Sequence, residues 1–142
     1  MTPNISVANR QRTVRVDVAK LRDFAQRALT NCLDQPRRKS SRLAALGEVE
    51  VVLVSDKQIA EIHQRFMNEP EPTDVITFQH GEIVISVETA KRQARQFNTT
   101  LDHELRLYIV HGLFHLHGFD DKTAAGAAEM KRAQERLVAS LP

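Results

Sequence analysis

Apolar and polar positions change period several times along these 142 residues. Ile5 to Asn9 alternates with the two-residue period of a half-buried strand and predicts an edge strand. From Asp17 or its neighbours the spacing shifts to three and four, and Val18, Leu21, Ala25, Ala28, Leu29 and Cys32 form the apolar stripe of a helix that Pro36 helps to end. Val49 to Val54 is a β-branched run fit for a central strand buried on both faces. Ser55 with Gln58 has the form of a capping box. It should open a helix that turns Ile59, Ile62 and Phe66 inward and stops at Pro70 and Pro72. Val75 to Phe78 and Ile83 to Ile85 predict an antiparallel hairpin about residues 79–82, with His80 in the turn. Ser86 should cap a polar helix from Val87 to about Phe97. Thr99 or Thr100 should cap the next, which is apolar from Leu105 to Leu116 and carries Asp102 and Glu104 in its first turn. A last helix near Ala124 to Ser140 has Met130, Ala133 and Leu137 as its stripe.

This order predicts an α+β fold, a small mixed sheet with helices packed on it. At 142 residues and 42% hydrophobic content, one domain over residues 1–142 is expected. There is no charged-then-apolar leader pattern, and no apolar run approaches the roughly 20 residues of a membrane span. A soluble cytoplasmic protein with no membrane partner is the expectation. Cys32 is the only cysteine, so no internal disulfide can form, and its place on an apolar stripe predicts a buried thiol.

Net charge is only +2 but uneven. Residues 1–48 hold ten Lys or Arg against four acids, residues 49–90 two against eight, and residues 91–142 eight against six. Arg37, Arg38, Lys39 and Arg42 form the densest basic tract, a candidate set of phosphate contacts. Lys91, Arg92 and Arg95 make a second basic surface. With six Phe, one Tyr and no Trp, base stacking is not expected to dominate recognition.

Candidate chemistry concentrates in the eleven residues His111 to Asp121, H-G-L-F-H-L-H-G-F-D-D. His111 and His115 are four apart in a helix, so both imidazoles leave one face about one turn apart and can share a cation. Gly118 can end the helix in a left-handed turn and present Asp120 and Asp121, either of which can complete a three-ligand site with a fourth position open to water. That is the pattern of a catalytic zinc site rather than a structural one. His117 points to another side and is expected at the surface or behind the ligands.

The segment resembles the signature of the YbeY family of bacterial ribosomal-RNA maturation endoribonucleases, H-G-x-L-H-L-x-G-Y-D-H, with Phe114 for Leu, Phe119 for Tyr and Asp121 for the last His. Thr73 to Phe78 is similar to that family's T-D-V-L-S-F and Gly81 to Ser86 to its G-D-I-V-I-S, while Ser55-Asp56 before a short helix also agrees. The resemblance, over roughly residues 48 to 135, implies a metalloprotease-like architecture with the metal helix at the end of a cleft. It implies one Zn2+ per chain on His111, His115 and Asp121, and Asp120 could accept a proton or, in the role that alignment with the family's Asp favours, hold a ligating imidazole by a hydrogen bond. It further implies a single-strand-specific endoribonuclease in 16S rRNA 3′-end maturation and ribosome quality control. Its implied partners are ribosomal RNA, the small ribosomal subunit, and ribosomal proteins or a ribosome-assembly GTPase.

Two departures stand out. Asp121 replaces the third histidine, and a carboxylate reaches less far from the backbone and adds negative charge, which makes the metal a weaker Lewis acid. Met67 stands six residues before the T-D-V block, where the family carries an arginine. An alternative reading is therefore a ribosome- or RNA-binding module that keeps the metal site with little or no activity. A zinc peptidase is the least favoured reading, because the residue after the first histidine is Gly112, where H-E-x-x-H enzymes carry their general base.

Overall fold

The computed structural model describes residues 3–36, 41–71 and 73–142. Strand β1 (Asn4–Asn9) leads into helix α1 (Val18–Leu33), which Asp17 caps by accepting from the Lys20 amide. A short 3-10 turn at Leu43–Ala45 precedes β2 (Glu48–Val54) and α2 (Asp56–Met67). The hairpin β3 (Val75–Phe78) and β4 (Glu82–Ser86) follows, then α3 (Val87–Gln96), α4 (Leu101–Leu116) and α5 (Ala124–Ser140). The predicted caps are all present: the reciprocal Ser55–Gln58 box, Ser86 on α3 and Thr100 on α4.

The sheet has the order β1-β2-β4-β3, with β1, β2 and β4 parallel and β3 antiparallel to β4. It is the small mixed sheet of an α+β fold, and β1 lies at its edge as expected. Period-two alternation divides the core. Val49, Val51, Leu53, Ile83 and Ile85 join the main cluster with α1, α3, α4 and α5, whereas Val52, Val54, Ile76 and Val84 face Ile59 of α2. The central strand β2 is accordingly buried on both faces. Helix α4 is enclosed by α1, α3, α5 and the sheet, which explains why it is apolar nearly all round.

Gly112 is where α4 meets the sheet. A Cβ there would stand 2.7 Å from two carbons of Ile83, so any larger residue would push the helix off β4. Gly81, in the hairpin turn at φ 107°, is equally constrained, with the Glu48 carbonyl 2.7 Å from where its Cβ would be. Among the described residues no helix is long and apolar enough to cross a membrane.

Three local expectations change. Phe66 is not turned inward but is 62% exposed, because α2 covers only the small second cluster and its last turn runs beyond it; there Phe66 packs edge-on to Phe78, and His63 takes the buried position. Helix α2 ends before Pro70, at Asn68, whose left-handed backbone (φ 55°) stops it; Pro72 lies outside the described residues. His117 is neither on the surface nor behind the metal pair. Its ring is 1% exposed, with Nε2 3.1 Å from the Gln35 carbonyl and Nδ1 3.3 Å from Ser41 Oγ.

Candidate metal centre

His111 and His115 leave the last two turns of α4 half-buried, and their Nε2 atoms face each other 3.0 Å apart. Gly118, at φ 97°, then reverses the chain as its lack of a Cβ permits. Phe119 stacks on Phe114 with ring centres 4.8 Å apart, which pins the returning loop to the helix that precedes it. Asp121 Oδ2 comes to 3.9 Å from His115 Nε2, and the donor atoms of His111, His115 and Asp121 all lie within 4.8 Å of one another. Asp120 is directed elsewhere. Its Oδ1 accepts from the Lys122 amide at 3.2 Å, closing a small turn that leads into the Thr123 cap of α5.

The donor set fits a divalent transition metal. Two imidazole nitrogens at 3.0 Å repel through their lone pairs unless a proton or a cation lies between them. Burial, and then the neighbouring His115, hold the His111 pKa below its ordinary range, which favours the neutral ligand form over the protonated one. Gln134 of α5 reaches the same ring, with the nitrogen of its side-chain amide 2.8 Å from His111 Nδ1; turning the carboxamide over would put its oxygen there. The two ends of a carboxamide are alike in shape, and the end that serves a ligating histidine is Oε1, which accepts from Nδ1–H and leaves Nε2 free to bind.

Two hollows meet at His111. One, of about 310 Å³, lies between α2, β3 and α4 and is lined by His63, Met67, Val75, Thr77, His111 and His115 among others. Among the described residues no Lys or Arg lines it, and Met67 stands where the family carries an arginine. The other, of about 240 Å³, brings Asp74, Tyr108, Lys131 and Gln134 to the same histidine. Burial, with Asp74 and Glu104 nearby, raises the Tyr108 pKa, so its hydroxyl stays protonated. Sequence reading had marked none of His63, Lys131 and Gln134. Only for Gln134 was there a local signal, a polar residue beside Ala133 on the apolar stripe of α5.

The basic residues are dispersed. Arg37, Arg38 and Lys39 lie outside the described residues. Arg42 is exposed, and its amide donates to the Leu116 carbonyl at 2.8 Å, which ties that end of the tract to the end of α4. Through Gln35 and Ser41, His117 holds both flanks of the tract at the same place. Arg92 of the second basic surface pairs with Asp56 instead of standing free. Cys32 is fully buried and its thiol is pushed up to about 12, an inert packing group.

A helical histidine pair closed by a glycine turn and a carboxylate, open to a cleft, is the donor set of metal-dependent hydrolases. The family model described as Endoribonuclease YbeY matches residues 6–142, and the chain belongs to that family. It is 37% identical to Endoribonuclease YbeY of Nautilia profundicola over 102 residues, 66% of this chain and 72% of that one. Against the protein of the same name from Syntrophus aciditrophicus it is 33% identical over 96% of this chain and 89% of the relative. The solution structure of TM1509 from Thermotoga maritima superposes with a TM-score of 0.64 at 28% identity, covering 94% of this chain and 86% of that one.

Proposed function

We propose that this protein is a metal-dependent endoribonuclease that cuts single-stranded RNA internally and matures the 3′ end of small-subunit ribosomal RNA. The observation that carries it is the convergence of His111, His115 and Asp121 at the mouth of a cleft in a chain of the YbeY family. Zn2+ is the ion assigned to this site. When bound it polarises a phosphoryl oxygen and makes a nucleophile available near neutral pH.

The remaining work falls to the chain. Gln134 orients His111 through Nδ1, and Phe119 on Phe114 keeps the Asp121 loop against α4. Asp120 is assigned to the turn that positions Asp121. Lys131, which lines the second hollow together with His111, is a cation available to an RNA phosphate. Arg42 and the tract before it are assigned to phosphates further along the strand, since their flanks are held at the end of the metal helix. Gly112 argues against peptide hydrolysis on structural grounds, because a glutamate there would be driven into Ile83 and away from the cleft.

Cells lacking the protein should accumulate small-subunit rRNA with an extended 3′ end. Wild type should restore processing and the His111→Ala/His115→Ala double variant should not. One observation favours a second reading, a binding module with weak chemistry: among the described residues the hollow beside the histidines presents Met67 and no guanidinium. Restoration of processing by the double variant would select that reading.

A further inference from the structure

The wall of the cleft formed by α2 carries a second group of metal-type donors. His63 lies one turn before the end of α2 and is 92% buried, with only 8% of its surface exposed. Its Nδ1 donates to the Glu71 carbonyl at 2.9 Å, which leaves Nε2 facing Glu69 with either a proton or a cation needed between them. That Nε2 lies 2.9 Å from Glu69 Oε2, and donor atoms of His63, Glu69 and Glu71 all fall within 4.8 Å of one another. A simple ion pair would need only the first two. The convergence of a second carboxylate, and the anchoring of the far ring nitrogen by backbone, are features of ligating histidines.

The surroundings call for a cation. Residues 49–90 carry two basic side chains against eight acidic ones, and among the described residues no Lys or Arg lines the hollow that His63 shares with His111 and His115. An RNA phosphate entering that space would meet Met67 and His63 on the α2 side. We propose that His63, Glu69 and Glu71 bind a second divalent cation, separate from the ion on His111 and His115. One imidazole with two carboxylates suits Mn2+ or Zn2+ better than Ca2+, which takes oxygen ligands alone. Taken with the nuclease reading, on which this part rests, the second cation places positive charge on the α2 side of the hollow that His63 shares with His111 and His115.

The test is the binding stoichiometry of Mn2+ on chelator-stripped full-length protein, read from the EPR signal of the free ion. Wild type should bind two ions per chain, and His111→Ala/His115→Ala should keep one. His63→Ala should also keep one, and all three substitutions together should keep none. Because His63 is buried, Glu69→Gln/Glu71→Gln provides a second route through exposed residues, with circular dichroism confirming the fold. This pair should weaken the second site at least about tenfold. The proposal is overturned if wild type binds a single ion that His63→Ala and the Glu pair leave unchanged, or if His111→Ala/His115→Ala binds none. The nuclease reading fails separately, through absence of RNA cleavage by metal-loaded wild type, whatever the ion count.

Discussion

Gln134 and His111 lie on different helices, 23 positions apart in sequence, yet the Gln134 amide is 2.8 Å from the histidine Nδ1. The contact couples the packing of α5 on α4 to the tautomer of the proposed metal ligand. Gln134→Leu should weaken metal retention by about 10- to 100-fold, the usual effect of losing an orienting partner. Gln134→Glu should hold the metal at least as well as wild type, because a carboxylate accepts from Nδ1–H more strongly. Chelator competition measures both, and the Nδ1–H resonance in the proton NMR spectrum should disappear in the Leu variant alone. Equal metal affinity in all three proteins would remove Gln134 from the site.

The neighbouring carboxylates Asp120 and Asp121 should separate cleanly. Asp121→Ala removes the oxygen 3.9 Å from His115 Nε2, whereas Asp120→Ala removes an acceptor for the Lys122 amide. Metal retention should fall more in the first, and the second should cost about 1 kcal/mol of stability through the lost turn bond. Asp121→His should tighten binding if its ring spans the same gap. Equal loss of metal in the two Ala variants, again by chelator competition, would contradict the assignment.

Much of this arrangement is legible in the chain because it is local. The capping box at Ser55, the αL stop at Gly118 and the four-residue spacing of His111 and His115 depend on neighbours within a few positions. What the pattern could not show depends on tertiary partners. Phe66 has the spacing of a core residue, but the cluster that α2 covers is too small to reach it. His63 and Gln134 come near the histidine pair only through the tertiary fold, His63 across a shared hollow and Gln134 by the packing of α5 on α4. His117 differs in the same way, since its partners Gln35 and Ser41 lie more than 70 positions earlier.

The metal-free protein should lose stability in mild acid. Burial, with His115 second, lowers the His111 pKa from its ordinary value of 6.5. The unfolded chain then binds a proton that the folded chain resists, so this penalty is absent well above pH 6.5 and grows as pH falls through 6.5 toward the lower folded value. Thermal melts of EDTA-treated protein across that range should show a falling Tm, and His111→Gln should make the fall shallower. A profile as steep in the variant as in wild type would contradict the burial argument.

RNA cleavage is the activity assigned to a metal ion held on His111, His115 and Asp121. Its most direct measurement is the fate of an end-labelled, unstructured RNA incubated with stripped protein, zinc-loaded protein and zinc-loaded His111→Ala/His115→Ala. Internal cuts should appear with loaded wild type, be lost on adding a chelator, return when zinc is restored, and be absent in the double variant. Cleavage that survives stripping or the double substitution, or zinc-loaded wild type that leaves the RNA intact, would contradict it.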